Sequence, residues 1–430
     1  MVVLGIPVDF ILFALTLLGV ALFHHHTLKV ALIGLSVITL YKLGFADFSG
    51  VPGVGGLVAL IGHEWVTIAN LFGLLLGFAL LSDHFERSEI PALLPKYLPD
   101  DWKGGFVMLL LVFVMSAFLD NIAAAMIGGS MAVVLYQRKV HIGFLAAIVA
   151  ASNAGGAGSV VGDTTTTMMW IAGVSPIQVL DAYIASFTAM AIFGVIAAKQ
   201  QHAYQPIMKD NPTGAHVHWA RLCIVVIILI SAVGTNVYFN LKHPEVLGRF
   251  PVIGVAVWVA ILATAPWRTP NWRLLPEATK GSVFLLSLVM CASMMPVQHL
   301  PNPSWQSALG LGFLSSVFDN IPLTALALRQ DGYDWSFLAY AVGFGGSMIW
   351  FGSSAGVALS NMYPEAKSVG AWIKGGWHIA VGYVVGFFVL LVVLGWHPDA
   401  LRGKRESAPV VPTSVANQTP VQVIAPSLKP

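Results

Sequence analysis

Long apolar runs, separated by short polar loops, follow one another along most of the chain. Runs of about 17–25 apolar residues can cross a hydrocarbon core of roughly 30 Å as α-helices. The pattern predicts helical spans at 6–23, 28–43, 66–82, 106–136, 142–170, 177–197, 222–239, 252–267, 283–296, 308–328, 335–360 and 371–394. We therefore expect an all-α polytopic membrane protein.

The composition agrees with this fold class. Of the 430 residues, 57% are hydrophobic and only 10% are charged, whereas a soluble domain has about 25% charged residues. The net charge of +2 gives no sign of a nucleic-acid partner. Because P-loop, nucleophile-elbow and zinc motifs are absent from the sequence, we expect no enzyme and no cofactor. The expected partners are membrane lipid and a transported cation.

The order of spans repeats across the midpoint of the chain. Each half has three plain spans, a span interrupted by Asp-Asn-Ile, a glycine-rich interrupted span and a final span. We predict a first inverted repeat at 1–200, a connecting loop at 201–218 and a second inverted repeat at 219–397. The remainder, 398–430, lacks helical periodicity and is expected to be a disordered tail. Broken helices at matching positions of two halves are typical of a transporter binding site.

Two of the interrupted spans are predicted to be re-entrant helical hairpins. The span at 106–136 is too long for one ordinary crossing and has Asp120 at its centre, and the span at 308–328 has Asp319 there. Irregular backbone at membrane depth is tolerated only where it is buried in protein or lines a wet cavity. Each half would then have about five full crossings plus one hairpin, and the odd number would invert the second half.

The acids at the two tips carry the candidate chemistry. An ionised group in a membrane costs several kcal/mol and is by default functional. A carboxylate, an Asn oxygen, free helix carbonyls and hydroxyl groups form a hard oxygen set that suits Na⁺ or Li⁺. Burial favours the neutral carboxyl, so a tip acid can hold a proton or a cation. The alternative is that Asp-Asn only caps the following helix, and the two roles can coexist.

The glycine-rich breaks, at 152–167 and 345–356, add further candidates. Asp163 lies between a glycine and four threonines, where it is a third ligand or an N-cap. The small polar residues at the breaks are ion ligands or helix-packing residues. The predicted ion- and proton-binding residues are Asp120, Asn121, Ser152, Asn153, Asp163, Thr164, Thr165, Asp319, Asn320, Thr324, Ser353 and Ser354, with Asp120, Asn121, Asp319 and Asn320 as the Na⁺ ligands.

Histidines are weaker candidates. His378 lies in the last span and is a candidate proton relay or pH sensor. The tract at 24–26 fits an interfacial loop better than a metal site. If both termini are outside, most Lys and Arg residues of the loops fall on the cytoplasmic side, as the positive-inside rule requires. The basic residues at 402–405 favour the opposite orientation.

The tip and break motifs resemble a known family. Asp-Asn-Ile at the tips, Ser-Asn-x-Gly-Gly, Gly-Asp-Thr-Thr-Thr-Thr-Met-Met-Trp-Ile at 162–171 and Gly-Gly-Ser-Met…Gly-Ser-Ser-Ala-Gly-Val-Ala at 345–358 are similar to NhaD-type Na⁺/H⁺ antiporters. These belong to the superfamily of arsenite permeases and sodium–dicarboxylate symporters. The resemblance implies an inverted-repeat fold with two opposed hairpins, a homodimer, an elevator-like motion and a location in a bacterial inner (plasma) membrane.

The resemblance implies Na⁺(Li⁺)/H⁺ antiport, with the cation and the proton competing for the tip acids. In the dicarboxylate relatives the tips look like Ser-Asn-Thr, whereas this chain has Asp at both tips. Three intramembrane acids would repel a dianion. The alternative, a Na⁺- or H⁺-coupled transporter of a small anion (citrate, another dicarboxylate or arsenite), stays open here because bound Na⁺ could neutralise the acids.

Overall fold

A computed structural model describes residues 2–3, 5–23, 26–48, 50–93, 97–208, 216–247 and 249–401. The predicted tail from 402 onward, part of the connecting loop and most of the histidine tract at 24–26 lie outside these ranges. The described chain is predominantly α-helical, and its few strands are two-residue segments. It is an all-α polytopic membrane protein, as the sequence predicted.

The first half begins with a small antiparallel ladder, β1 (Val2–Val3) with β2 (Ile6–Pro7), and has a second one further along the chain, β3 (Asp47–Phe48) with β4 (Val51–Pro52). Its helices are α1 (Val8–Leu22), α2 (Thr27–Phe45), α3 (Gly53–Glu86), α4 (Ile90–Leu93), α5 (Trp102–Ser116), α6 (Asn121–Leu135), α7 (Ile142–Ala157), α8 (Thr164–Ile171), α9 (Pro176–Leu180) and α10 (Ala182–Tyr204).

The second half follows the same order. Its helices are α11 (Trp219–Lys242), α12 (Pro244–Leu247), α13 (Val252–Thr264), α14 (Leu275–Ser293), α15 (Trp305–Ser315), α16 (Asn320–Gln330), α17 (Trp335–Gly345), α18 (Ser354–Met362), α19 (Val369–Gly375) and α20 (Trp377–Leu394). Short 3₁₀ segments lie at Trp272–Leu274, Val297–His299, Gly346–Met348 and Pro364–Lys367.

Six helical segments among the described residues are long and apolar enough to cross a membrane. They are Thr27–Phe45, Gly53–Glu86, Pro176–Tyr204, Trp219–Phe239, Trp272–Ser293 and Trp377–Leu394. Most of the helices around the predicted tips and breaks are shorter. Long spans and short broken helices are thus combined in one chain.

Helical hairpins are present at both predicted positions, and their re-entrant course in the membrane stays a prediction. In the first, a side chain at Gly105, near the start of α5, would contact the hydroxyl of Tyr136, which follows α6. The two outer ends of α5 and α6 therefore meet, and the turn between them precedes Asn121. In the second, the Gln330 side-chain amide donates to the carbonyl oxygen of Pro301 at 2.6 Å, which brings the end of α16 back to the chain just before α15.

The glycines of the two breaks allow the broken helices to approach the hairpins. A Cβ at Gly162 would collide with the carbonyl oxygen of Ser116, and a Cβ at Gly352 would meet the carbonyl oxygen of Ser316. Ser116 ends α5, and Ser316 directly follows α15. The same backbone-to-backbone approach therefore occurs in each half.

Helix packing follows a reciprocal pattern between the halves. Helix α1 packs on α2 as α11 packs on α13, α5 packs on α7 as α15 packs on α17, and α6 packs on α18 as α16 packs on α8. The hairpins and broken helices form one group with α10 and α20, and α1, α2, α3, α11, α13 and α14 flank it. The correspondence of the halves agrees with an internal repeat. The inversion of the second half and the exact domain boundaries stay predictions.

Two plain spans begin earlier than predicted. Helix α3 begins at Gly53 instead of 66, because the glycine-rich segment that resembled a loop is helical and Gly56 packs against the backbone of Val51. Helix α14 begins at Leu275 instead of 283 and has Glu277 in its first turn. In both cases polar or glycine residues in the first turns lowered the local hydropathy, so the predicted span began too late.

Replacement of Gly162 by alanine should lower the apparent melting temperature of the detergent-purified protein. The new Cβ would overpack a backbone-lined contact, at a cost of about 1–3 kcal/mol. The matched control is Gly44→Ala on α2, where a Cβ meets no atom within 4 Å and alanine is the better helix former. Equal melting temperatures for the two variants would contradict the close approach.

Candidate functional site

The two tip acids occupy equivalent positions at helix starts. Asp120 is the N-cap of α6, where its Oδ1 accepts a hydrogen bond from the backbone N–H of Ile122 at 2.8 Å. Asp319 is the N-cap of α16, where its Oδ1 accepts from the N–H of Ile321 at 3.1 Å. Each carboxylate thus satisfies a helix N–H group that would otherwise be unpaired. In both residues the cap uses one oxygen and leaves Oδ2 for other partners.

Asp163 is a third N-cap, at the start of α8. Its side chain is only 2% exposed. Its Oδ1 accepts hydrogen bonds from the N–H of Thr165 at 3.2 Å and from the side-chain amide of Asn121 at 3.4 Å. Its Oδ2 is buried without a hydrogen-bond partner. A buried oxygen of this kind is costly unless a proton or a cation satisfies it.

Asn153 joins the two halves. Its Oδ1 accepts from the side-chain amide of Asn121 at 3.1 Å, and its own amide donates to the hydroxyl oxygens of Ser347 at 2.9 Å and Ser353 at 3.1 Å. Ser353 is the N-cap of α18. The first hairpin and both breaks are therefore connected by one chain of buried hydrogen bonds, which fixes their relative positions.

Two cavities lie between the hairpin-bearing group and the flanking helices. The first, of about 290 Å³, is lined by Asp120, Asp163 and Thr164 together with residues of α3 and α14. The second, of about 350 Å³, is lined by Asp319 and Ser354 together with residues of α1 and α14. In the second cavity the hydroxyl of Ser354 donates to Oδ2 of Asp319 at 3.1 Å. The three acids are thus distributed over two neighbouring cavities.

Several predicted site residues make helix contacts instead of cavity contacts. The hydroxyl of Ser152 donates to the carbonyl oxygen of Val149 at 2.8 Å, and the hydroxyl of Thr324 donates to that of Asn320 at 2.9 Å. Asn320 is buried at the start of α16. Thr165 holds Asp163 through its backbone N–H, and its buried hydroxyl has no hydrogen-bond partner.

His378 is not connected to the tips by any hydrogen bond of the described residues. It is fully buried at the start of α20, where its Nε2 lies 3.2 Å from the side-chain oxygen of Gln200 on α10. Its Nδ1 has no hydrogen-bond partner. The structure therefore places the predicted proton-relay candidate in a separate site between α10 and α20.

The chain is similar to proteins named as sodium/proton antiporters. No family model matches it. It is 26% identical over 370 residues to "Sodium/proton antiporter 1" of Arabidopsis thaliana, which covers 77% of this chain and 61% of the relative. It is 27% identical over 334 residues to "Na(+)/H(+) antiporter NhaD" of Vibrio parahaemolyticus, covering 66% of this chain and 78% of the relative. The NhaD protein of Vibrio cholerae is 26% identical over 336 residues.

The resemblance to NhaD-type Na⁺/H⁺ antiporters is confirmed. It rests on several relatives and extends over about two thirds of this chain. The chain spans 61% of the length of the Arabidopsis protein. The NhaD-type resemblance therefore agrees with the tip and break motifs from which it was first inferred.

The NhaD-type motifs did not reveal every polar residue at the site. Ser347 lies inside the Gly-Gly-Ser-Met motif, but a serine in a glycine-rich segment has no distinctive pattern. Ser82 on α3 and Ser282 on α14 line the first cavity, and single serines are common in membrane helices.

A buried ion pair, Lys42 Nζ to Asp9 Oδ1 at 3.0 Å, joins α2 to α1. Lys42 lies at the end of the predicted span at 28–43, where a lysine is unremarkable, so only its partner on another helix could have revealed the pair.

Replacement of Asn153 by alanine should destabilise the fold, because one substitution removes three buried hydrogen bonds, two of which join the halves. Polar groups left unsatisfied cost about 1–3 kcal/mol each. The measurement is the apparent melting temperature in detergent. The control is Ser36→Ala, which removes one exposed side-chain bond within α2 and should change the melting temperature little. A similar melting temperature for both variants would contradict the role of Asn153.

Proposed function

We propose that this protein is a secondary transporter that exchanges Na⁺ or Li⁺ for protons. The observation that carries the proposal is the location of the tip acids, since Asp120 and Asp319 each cap a helix inside the protein and line a cavity. The printed names of the relatives, which describe sodium/proton and Na⁺/H⁺ antiporters, support the same function.

Cation and proton compete for the same oxygens in this mechanism. In the first cavity, Asp120, Asp163 and the hydroxyl of Thr164 supply the hard oxygen ligands that suit Na⁺ or Li⁺. In the second, Asp319 and Ser354 supply them. When the cation leaves, a proton neutralises the carboxylate, because an uncompensated charge in a poorly hydrated site is costly. One site thus holds one cargo or the other, which couples the two gradients.

The capping bonds are compatible with this cycle. A carboxylate that caps through Oδ1 stays fixed while Oδ2 exchanges a cation for a proton. In Asp163 the second oxygen is buried and free of hydrogen bonds. The helix start therefore orients the acid through one oxygen and leaves the other oxygen available for an ion.

An anion as the transported species is the less favoured alternative. Neither cavity has an Arg or Lys residue in its described lining, and carboxylate recognition usually depends on such a cation. Asp120, Asp163 and Asp319 would together repel a dianion. Citrate, dicarboxylate or arsenite transport would require bound cations to reverse the charge of the site.

The setting of this activity is part of the proposal. The chain is a multi-pass membrane protein, and its bacterial relatives support an inner (plasma) membrane location. The homodimer and the elevator-like movement implied by the family resemblance are proposed with it. The relatives are named as antiporters, in agreement with a protein that is not an enzyme.

In inside-out vesicles that contain the protein, addition of NaCl or LiCl should dissipate an imposed ΔpH, as reported by a fluorescent pH probe. Asp120→Asn and Asp319→Asn should each reduce this response at least about tenfold. A charge pair at 4 Å is worth ~4 kcal/mol at the effective dielectric of a partly hydrated site. Asparagine preserves the N-cap, so a folded variant isolates the loss of charge.

The matched control is Asp181→Asn, the same substitution at an exposed acid that lines neither cavity. It should retain the wild-type response. A full Na⁺ response in both tip variants would contradict the proposed mechanism. Cation-driven accumulation of citrate or arsenite, without a Na⁺-dependent ΔpH response, would favour the anion alternative.

A further inference from the structure

Glu277 connects the second cavity to the surface. It lies in the first turn of α14 and lines the same cavity as Asp319 and Ser354. Its side chain is 83% exposed, whereas Asp319 is partly buried and hydrogen-bonded to Ser354. One cavity thus has a carboxylate at its outer rim and another that is more buried. Asn361, also exposed, lines the cavity as well.

Helix α14 forms a wall that the two cavities share. Gly281 lines both cavities and lies four residues after Glu277, so the two residues are on the same helix face, one turn apart. Ala278, next to Glu277, lines the first cavity. A charge at position 277 therefore lies at the edge of the wall that separates the two cavities.

The charge of the surrounding segment makes this acid distinctive. From 268 to 280 the sequence carries Arg268, Arg273 and Lys280, and Glu277 is its single acid. The charge bias predicts this segment to be cytoplasmic. A basic surface would repel an approaching cation, and a carboxylate at the cavity rim offsets that repulsion where the cation must pass.

The ion pair of Glu277 leaves its carboxylate accessible. Lys280 Nζ lies 3.4 Å from Glu277 Oε2, and both side chains are largely exposed. Exposed pairs of this kind contribute little to stability, so the pair opens readily. Lys280 reduces the field of the carboxylate without blocking it.

We propose that Glu277 is a rim residue that attracts Na⁺ or Li⁺ to the Asp319 cavity, with Lys280 moderating its charge. This inference rests on the proposed cation transport. Glu277 would act on the approach of the cation and not on its exchange with a proton. Its effect would therefore be on the cation concentration required and not on the maximal rate.

The test uses the full-length protein in inside-out vesicles at low ionic strength. Glu277→Gln should raise the apparent KM for Na⁺ by roughly threefold with an unchanged maximal rate, and Lys280→Gln should lower it. Both effects should fade when choline chloride is raised from about 0.01 M to about 1 M, since the Debye length falls from about 30 Å to about 3 Å. Glu86→Gln, an exposed acid that lines neither cavity, should leave the KM unchanged.

Binding of radioactive sodium to the purified protein separates this inference from the proposed antiport. A wild type that binds Na⁺ but gives no ΔpH response would refute antiport, while weaker binding in Glu277→Gln at low salt would still support the rim residue. An unchanged affinity and KM in Glu277→Gln would overturn the inference. A lower maximal rate with an unchanged KM would also overturn it, because that result indicates a structural role.

Discussion

The structure depends on hydrogen-bond partners for the backbone N–H groups at helix starts that are buried away from water. Four helices of the hairpin-bearing group begin inside the protein, and each is capped by a side chain: Asp120 for α6, Asp163 for α8, Asp319 for α16 and Ser353 for α18. Without these caps, unpaired N–H groups would lie in an apolar environment, each at considerable cost. The side-chain caps therefore allow these helices to begin inside the protein.

Capping and ion binding are therefore complementary roles of the same residues. An acid that caps a helix through one oxygen is held by its hydrogen bond from the backbone, so its orientation does not depend on the ion. The positive end of the helix offsets part of the cost of burying the charged form. The sequence left open whether Asp-Asn caps a helix or binds an ion, and the geometry allows both.

The hairpins and breaks could be predicted because Asp120, Asp319 and runs of glycine are unusual in apolar segments. The residues that the flanking helices contribute to the cavities could not be predicted, because nothing in the hydropathy pattern shows which of these helices faces a tip. Glu277 is an example, since the sequence alone places it in an ordinary polar loop and only the packing of α14 brings it to a cavity. His378 shows a related limit, because burial in an apolar span does not reveal whether a residue lies near the tips.

The two halves are similar in shape and different in charge. At the second helix of each break, the first half has Asp163 and the second half has Ser353. The cavity of the first half therefore has two acids, and that of the second half has one besides Glu277. Two carboxylates that share a small cavity can both be ionised only when a cation compensates them, and otherwise one of them binds a proton. The first cavity should thus bind its cargo more strongly, and the second, with Glu277 at its rim, is better suited to admitting it.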